Sequence, residues 1–459
     1  MVRSMASAPS RYNPPVALED SAIMGLTPGA ELRGAARVPG SKSIAQRGLL
    51  LATLSGGRTR LAGLPGSEDV RATRTLIAAV GARVETLAPA AIAIEGRPPG
   101  PERGWESVEP LMLGESGTLA RMATAAAGLC GRAGRSFDLL PEGTLLRRSS
   151  APLLRALRQA GVRTEPSESV TWPLRVFPIG PPDTLTLIDP VSSQEVSALL
   201  VALAAWPGEH LVRVEGALPS RPYLELTRTM LRTFGVRVSA TPGDASLFFE
   251  LRGGLRPPEE PITIEPDASN AAVVLAAGVL SGGEVEVRGL GSGSPQGDVR
   301  IIDHLARFGC ETEAFPERLR AHGRPKREVL LNLHDEPDLA PVLAAVAAAH
   351  AWEGGAGSLL TGLGTLPLKE SQRIDVLAHG FETAGIACES GPDFLRVGPR
   401  QSGDVRDVVL DPRGDHRMAF AFALLGLARP GVRVKDARCV NKSWPGFWSE
   451  LQRLGARVQ

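Results

Sequence analysis

Lysine is nearly missing from this chain. Of 51 basic residues only five are lysine, at positions 42, 326, 369, 435 and 442. Charge of one sign is also lacking, since 50 acidic residues leave a net charge of +1. That balance excludes a broad nucleic-acid surface or a polybasic membrane patch, so any recognition of charge must be local. Cysteines are few: Cys130, Cys310, Cys388 and Cys439 lie far apart, without CxxC spacing or a neighbouring histidine. A disulfide framework is excluded, and reduced thiols of a cytosolic protein are expected. The seven histidines are scattered and no carboxylates are bunched as ligands, so no metal is expected. GxxxxGK[ST] and GxSxG are absent, which sets aside a P-loop NTPase and a serine hydrolase. No apolar run approaches membrane-span length and no signal-peptide core is seen. Residues 1–22 read as a loose tail, and Glu19 and Asp20 argue against a transit peptide.

What the chain does have is a repeat. Six segments end alike, at Gly81, Gly161, Gly235, Gly309, Gly385 and Gly455, spaced 70 to 80 residues apart. Each glycine follows an amphipathic stretch such as "YLELTRTMLRTFG" and precedes a β-branched alternation. Each therefore reads as a left-handed cap that ends a helix before a strand. Upstream in every segment lies an Ala/Leu-rich helix, "GLLLATL", "MATAAAGL", "ALLVALAAW", "AAVVLAAGVL", "VLAAVAAAH" or "MAFAFALLGL". These are apolar nearly all round and belong at the centre of a bundle. The expected fold is α/β, with six modules arranged as two domains of three.

Just before the buried helices stand "PGSKSIAQR", "LGESGTLAR", "PVSSQEV", "PDASNAA", "DEPDLAP" and "GDHRMAF". Helix capping accounts for their Ser and Asp content, and either Ser41 or Ser43 can cap the first helix. Capping does not account for Lys42, Arg47, Arg121, His416 and Arg417, because cations oppose the helix dipole at an N-terminus. An anion between them removes the conflict. If related modules bring these ends together, they form a cleft for a polyanionic small molecule. Three of the five lysines, Lys42, Lys369 and Lys442, fall inside such motifs, where a compact rotatable charge does what an arginine fork cannot.

Other constellations fit the same cleft. "LPLKESQR" groups Lys369, Glu370 and Arg373, so Glu370 is either a general acid or base or part of a solvated charge run. Asp338 precedes a buried helix and is equally a cap or a base. In "VNKSWPGFW", Lys442 stands beside Trp444 and Trp448, which read as core or lid packing.

These motifs, with "LLRRS", "SRPYLELTRTMLRTFGV", "QGDVR" and "NKSWPGF", resemble in order those of the 3-phosphoshikimate 1-carboxyvinyltransferase (EPSP synthase) family, from about residue 30 to the C-terminus. The resemblance implies the two-domain enolpyruvyl transferase fold of six βαβαββ units. It places residues 39–262 in one domain, and 23–38 with 263–459 in a discontinuous second. It implies transfer of the enolpyruvyl group of phosphoenolpyruvate to the 5-hydroxyl of shikimate 3-phosphate, by a cytoplasmic monomer without cofactor or metal. Carried over by motif, Lys42, Ser43, Arg47, Ser192, Ser193, Gln194, Ser220, Tyr223, Asp338 and Lys369 would bind shikimate 3-phosphate. Lys42, Gly117, Arg148, Gln194, Arg373, Arg417 and Lys442 would hold phosphoenolpyruvate. Asp338 would take the hydroxyl proton and Glu370 would protonate the methylene carbon, with Lys42, Lys369 and His416 assisting. Four positions depart from the common pattern: Glu115 where Asn is usual, Ser149 for Pro, Thr365 for Asn and Gln372 for Asp. The alternatives are a paralogue acting on another carbocycle or a UDP-sugar, a non-catalytic binder and, more distantly, an RNA-cyclase-like protein. The shikimate-side "SSQ" and "SRPY" count against the UDP-sugar version.

Overall fold

The computed structural model describes residues 22–100, 102–403 and 406–459. Apart from residue 22, the expected N-terminal tail lies outside the described residues. The six apolar runs form helices α1 (Lys42–Leu54), α2 (Gly117–Cys130), α3 (Ser193–Ala204), α4 (Ala268–Ser281), α5 (Ala340–Trp352) and α6 (His416–Leu425). All of α4 is buried, as is α2 apart from Thr118, as expected of helices with no polar face.

One module shows how each is built. Strand Thr184–Ile188 leads into α3, which returns to a parallel strand, Gly208–Glu215. The amphipathic helix Arg221–Thr233 follows, and the hairpin Val238–Pro242 and Ser246–Gly253 closes a four-stranded sheet. A parallel pair needs a crossover, and the buried helix supplies it. Six four-stranded sheets of this kind occur among the described residues. The six repeat glycines all follow second helices and all hold positive φ, between 81° and 114°, the backbone region open to glycine.

The chain forms two hydrophobic cores. One gathers residues from Ile44 to Ile264; the other joins Leu26, Leu32 and Ala36 to residues from Ala268 to Ala456. Strand Arg33–Ala36 pairs in parallel with Glu284–Arg288, while Ile262–Thr263 pairs in parallel with Arg58–Ala62. The chain therefore crosses between cores twice, and the crossings touch. The Ser41 amide donates to the Glu265 carbonyl at 2.8 Å and the Asp267 amide to the Pro39 carbonyl at 2.9 Å. Gly40 sits in this junction, where a Cβ would collide with the Gly63 carbonyl, backbone against backbone. Gly40→Ala is expected to cost about 2 kcal/mol or more of stability, read as a lowered midpoint in chemical unfolding.

Candidate active site

The double crossing sets the N-termini of α1 and α4 side by side. The Lys42 amide donates to Asp267 Oδ2 at 3.1 Å, so the cap of α4 also serves α1. Ser41, Ser116, Ser192, Asp267 and Asp415 cap α1, α2, α3, α4 and α6. The choice left open in the sequence is thereby settled: Ser41 caps, and Ser43 is free to face a cavity of about 770 Å³. That volume suits one or two small ligands. Residues at the starts of α1, α2, α3 and α6 line it, together with Asp338 and the 367–373 segment.

At its centre is Arg373, 1% exposed, bridging three carboxylates. Its Nη1 lies 3.1 Å from Asp338 Oδ1, Nη2 lies 2.6 Å from Glu370 Oε2, and Nε lies 2.8 Å from Asp415 Oδ2. Asp338 also meets Arg417 Nη2 at 3.1 Å and Lys369 Nζ at 3.5 Å, and accepts from the Tyr223 hydroxyl at 3.1 Å. Burial works to raise the Asp338 pKa, but Arg417, Lys369 and Arg373 override it and hold the carboxyl far below its ordinary range. Glu370 follows the same logic: burial is outweighed by Arg148, Arg373 and Lys442, so it too is ionised. Its Oε1 lies 3.5 Å from Arg148 Nη2 and 3.8 Å from Lys442 Nζ.

The other wall carries Lys42, whose Nζ lies 2.9 Å from Asp69 Oδ2. Burial lowers its pKa but Asp69 and Glu370 more than compensate, so Lys42 stays charged. His416 is buried among Lys42, Arg417 and Lys442, and burial followed by those charges drives its pKa well down. It is a neutral imidazole, and Nδ1 has no hydrogen-bond partner. Burial lowers Lys369 below the usual lysine value. Two non-glycine residues on the lining, Ser220 and Arg413, hold φ of +55° and +56°, strain of the kind that collects at functional sites.

The structure brings together most residues singled out in the sequence. Lys42, Ser43, Gly117, Arg148, Ser192, Ser193, Gln194, Ser220, Tyr223, Asp338, Lys369, Glu370, Arg373, His416 and Arg417 all line the cavity. Two do not. Arg47 is buried, its Nε donating to Thr227 Oγ1 at 2.8 Å and Nη1 to the Ser43 carbonyl at 2.9 Å; burial lowers its pKa to about 10. It braces the wall behind Ser43. Lys442 is absent from the lining but reaches Glu370 from behind. Trp444 and Trp448 are buried against Phe447. Ser149, Thr365 and Gln372 border the cavity, while Glu115 pairs with Lys442.

Several functional residues were not read as such in the sequence. Arg121 lines the cavity and donates to Gln194 Oε1 at 3.1 Å and the Ser149 carbonyl at 3.1 Å; only its wrong-signed place at a helix start hinted at it. Asp69 had no signal, since its partner Lys42 lies on another helix. Asp298, in "QGDVR", shares the Tyr223 hydroxyl and accepts from Ser269. Burial and the nearby Asp338 charge raise its pKa to about 7.

Six copies of one module around a cation-lined cleft at helix N-termini define the class: an enolpyruvyl-transferase-type α/β protein that takes anionic small molecules. The chain belongs to the EPSP synthase (3-phosphoshikimate 1-carboxyvinyltransferase) family, which it matches over residues 26–451. A 3-phosphoshikimate 1-carboxyvinyltransferase from Laribacter hongkongensis is 36% identical over 95% of this chain and 100% of its own length. One from Ralstonia nicotianae is 34% identical over 92% and 97%. Among solved structures, an EPSP synthase from Acinetobacter baumannii superposes with a TM-score of 0.74 over 95% of this chain and 99% of its own, at 23% identity. The enolpyruvyl transferase NikO from Streptomyces tendae reaches 0.67 over 95% and 98%, at 18% identity. The structural likenesses speak for the fold alone.

Proposed function

We propose that the chain transfers the enolpyruvyl group of phosphoenolpyruvate to the 5-hydroxyl of shikimate 3-phosphate and releases inorganic phosphate. The observation that carries this reading is the pair of half-buried carboxylates, Asp338 and Glu370, clasped by one buried arginine on the wall of a cation-lined cavity. Two polyanionic substrates repel one another, and Lys42, Arg121, Arg148, Lys369, Arg373 and Arg417 together offset that repulsion before any bond forms.

Ser43, Ser192, Ser193, Gln194, Ser220 and Tyr223 take the phosphorylated carbocycle, and Arg47 braces that side. Gly117, Arg148, Arg373, Arg417 and Lys442 take phosphoenolpyruvate. Both carboxyls are held ionised by the cations the substrates need. As substrate anions draw on those cations, the carboxyl pKa values rise. Asp338 then accepts the proton of the attacking hydroxyl, and Glu370, having taken up a proton, delivers it to the methylene carbon as the C–O bond forms. The C–O bond to phosphate then breaks, and phosphate leaves with the proton that Asp338 had taken. The methyl proton returns to Glu370 as the enol ether is restored. Lys369 and the neutral His416 support the charge changes.

We further take residues 39–262 as one domain and 23–38 with 263–459 as the other, since the two cores divide close to these limits. A cytoplasmic monomer is proposed, in keeping with the four unpaired cysteines. No helix among the described residues is long and apolar enough to cross a membrane. The expected result is stoichiometric phosphate release when the purified protein meets both substrates, and none with either alone. Absence of release from well-folded protein would overturn the reading.

A further inference from the structure

Glu115 stands in the turn between strand Leu111–Gly114 and the cap of α2, beside the cations assigned to phosphoenolpyruvate. Its Oε2 lies 3.2 Å from Lys442 Nζ, across 327 positions of sequence and from one core to the other. The lysine side chain is only 6% exposed, against 37% for the glutamate. The same Oε2 accepts from Thr144 Oγ1 at 3.0 Å, and that hydroxyl oxygen accepts from Arg148 Nη2 at 2.7 Å. One carboxylate is thus tied directly to Lys442 and, through Thr144, to Arg148. Gly143 passes close against Glu115 Oε1 with φ of +50°, a backbone conformation that favours glycine. Glu115 makes no contact with Asp338, Glu370 or Arg373 among the hydrogen bonds and ion pairs of the described residues.

We propose that Glu115 is a tethered competitor for the anionic co-substrate, setting its affinity by occupying Lys442 and, through Thr144, Arg148. An incoming phosphate or carboxylate must take these cations from Glu115, so binding weakens while the chemical step is untouched. The inference rests on the assignment of this corner to phosphoenolpyruvate in the proposed function.

Glu115→Gln keeps the shape and the acceptor for Thr144 but removes the charge. The KM for phosphoenolpyruvate is expected to fall about tenfold, the scale of coupling between contacting charges, with kcat unchanged to within about twofold. A binding measurement needs no turnover: inorganic phosphate, titrated calorimetrically, is expected to bind Glu115→Gln about tenfold more tightly than wild type. The difference is expected to vanish when Lys442→Met is present in both backgrounds. Glu115→Asn, which also withdraws from Thr144, should shift affinity in the same direction. A purely structural role predicts instead a lowered melting temperature with equal or weaker phosphate affinity. Equal affinities in wild type and both variants overturn the inference, whatever turnover shows. Wild type that releases no phosphate from the two substrates, yet shows the expected affinity difference, overturns the proposed function and leaves the Glu115 competition standing.

Discussion

Glu370→Gln is expected to lower kcat by two decades or more, the range in which a positioned acid contributes, while shikimate 3-phosphate binds about as before. The amide keeps the size of the carboxyl and can still accept from Arg373 Nη2, which lies 2.6 Å from Oε2. What it cannot do is carry a proton to carbon. The variant also leaves Arg148, Arg373 and Lys442 without one of their anionic partners. The KM for phosphoenolpyruvate should therefore stay level or fall as kcat collapses, a split that loss of general binding would not give. Because Glu370 is ionised in this structure, the proposed chemistry requires it to gain a proton as anions fill the site. Calorimetry of phosphoenolpyruvate binding to the shikimate 3-phosphate complex, in buffers of different ionisation heat, should show net proton uptake in wild type and less in Glu370→Gln. A kcat within tenfold of wild type would remove Glu370 from the role of acid.

The parts of this site that sequence reveals are those written locally. A glycine ending a helix needs positive φ whatever surrounds it, so the six repeat glycines and the module they mark could be read without coordinates. Cations at helix starts were legible for the same reason, because capping and dipole rules make them anomalous. Those rules do not say which way such a cation turns. Lys42 faces the cavity, whereas Arg47, one turn on, points inward to Thr227. Pairings between separate elements were beyond reach, since Lys42 with Asp69 and Tyr223 with Asp298 depend on how distinct helices and loops pack. Glu115 shows the limit most clearly. Its departure from the common residue was visible, but its partner lies on the other core. Where the sequence showed only Glu in place of Asn, the structure shows a carboxylate paired with Lys442.

Arg373→Met is expected to destabilise the protein by about 3–5 kcal/mol, the cost of stranding buried charges, and to abolish activity. Methionine fills much of the volume, so the loss comes from Asp338, Glu370 and Asp415 rather than from a cavity. Asp415 suffers most: it is 0% exposed, and Arg373 is its closest cation. The pH dependence separates this cause from misfolding. In wild type, Asp338 and Glu370 fold with pKa values below their ordinary ones. Their contribution is therefore present at neutral pH and is lost only as pH falls through and below the usual carboxylate range. In the variant Asp338 keeps Arg417 and Lys369, and Glu370 keeps Arg148 and Lys442. Both pKa values therefore move back toward the ordinary range, and the native state loses part of its preference for the ionised carboxyls. The stability gap between wild type and variant should then narrow as the pH is lowered from 7 to 3.5, because wild type has the larger carboxylate contribution to lose. Urea unfolding at the two pH values reads the difference directly. Parallel shifts in both proteins, or a loss below about 1 kcal/mol, a tertiary hydrogen bond's ordinary worth, would show that Arg373 does not neutralise this cluster.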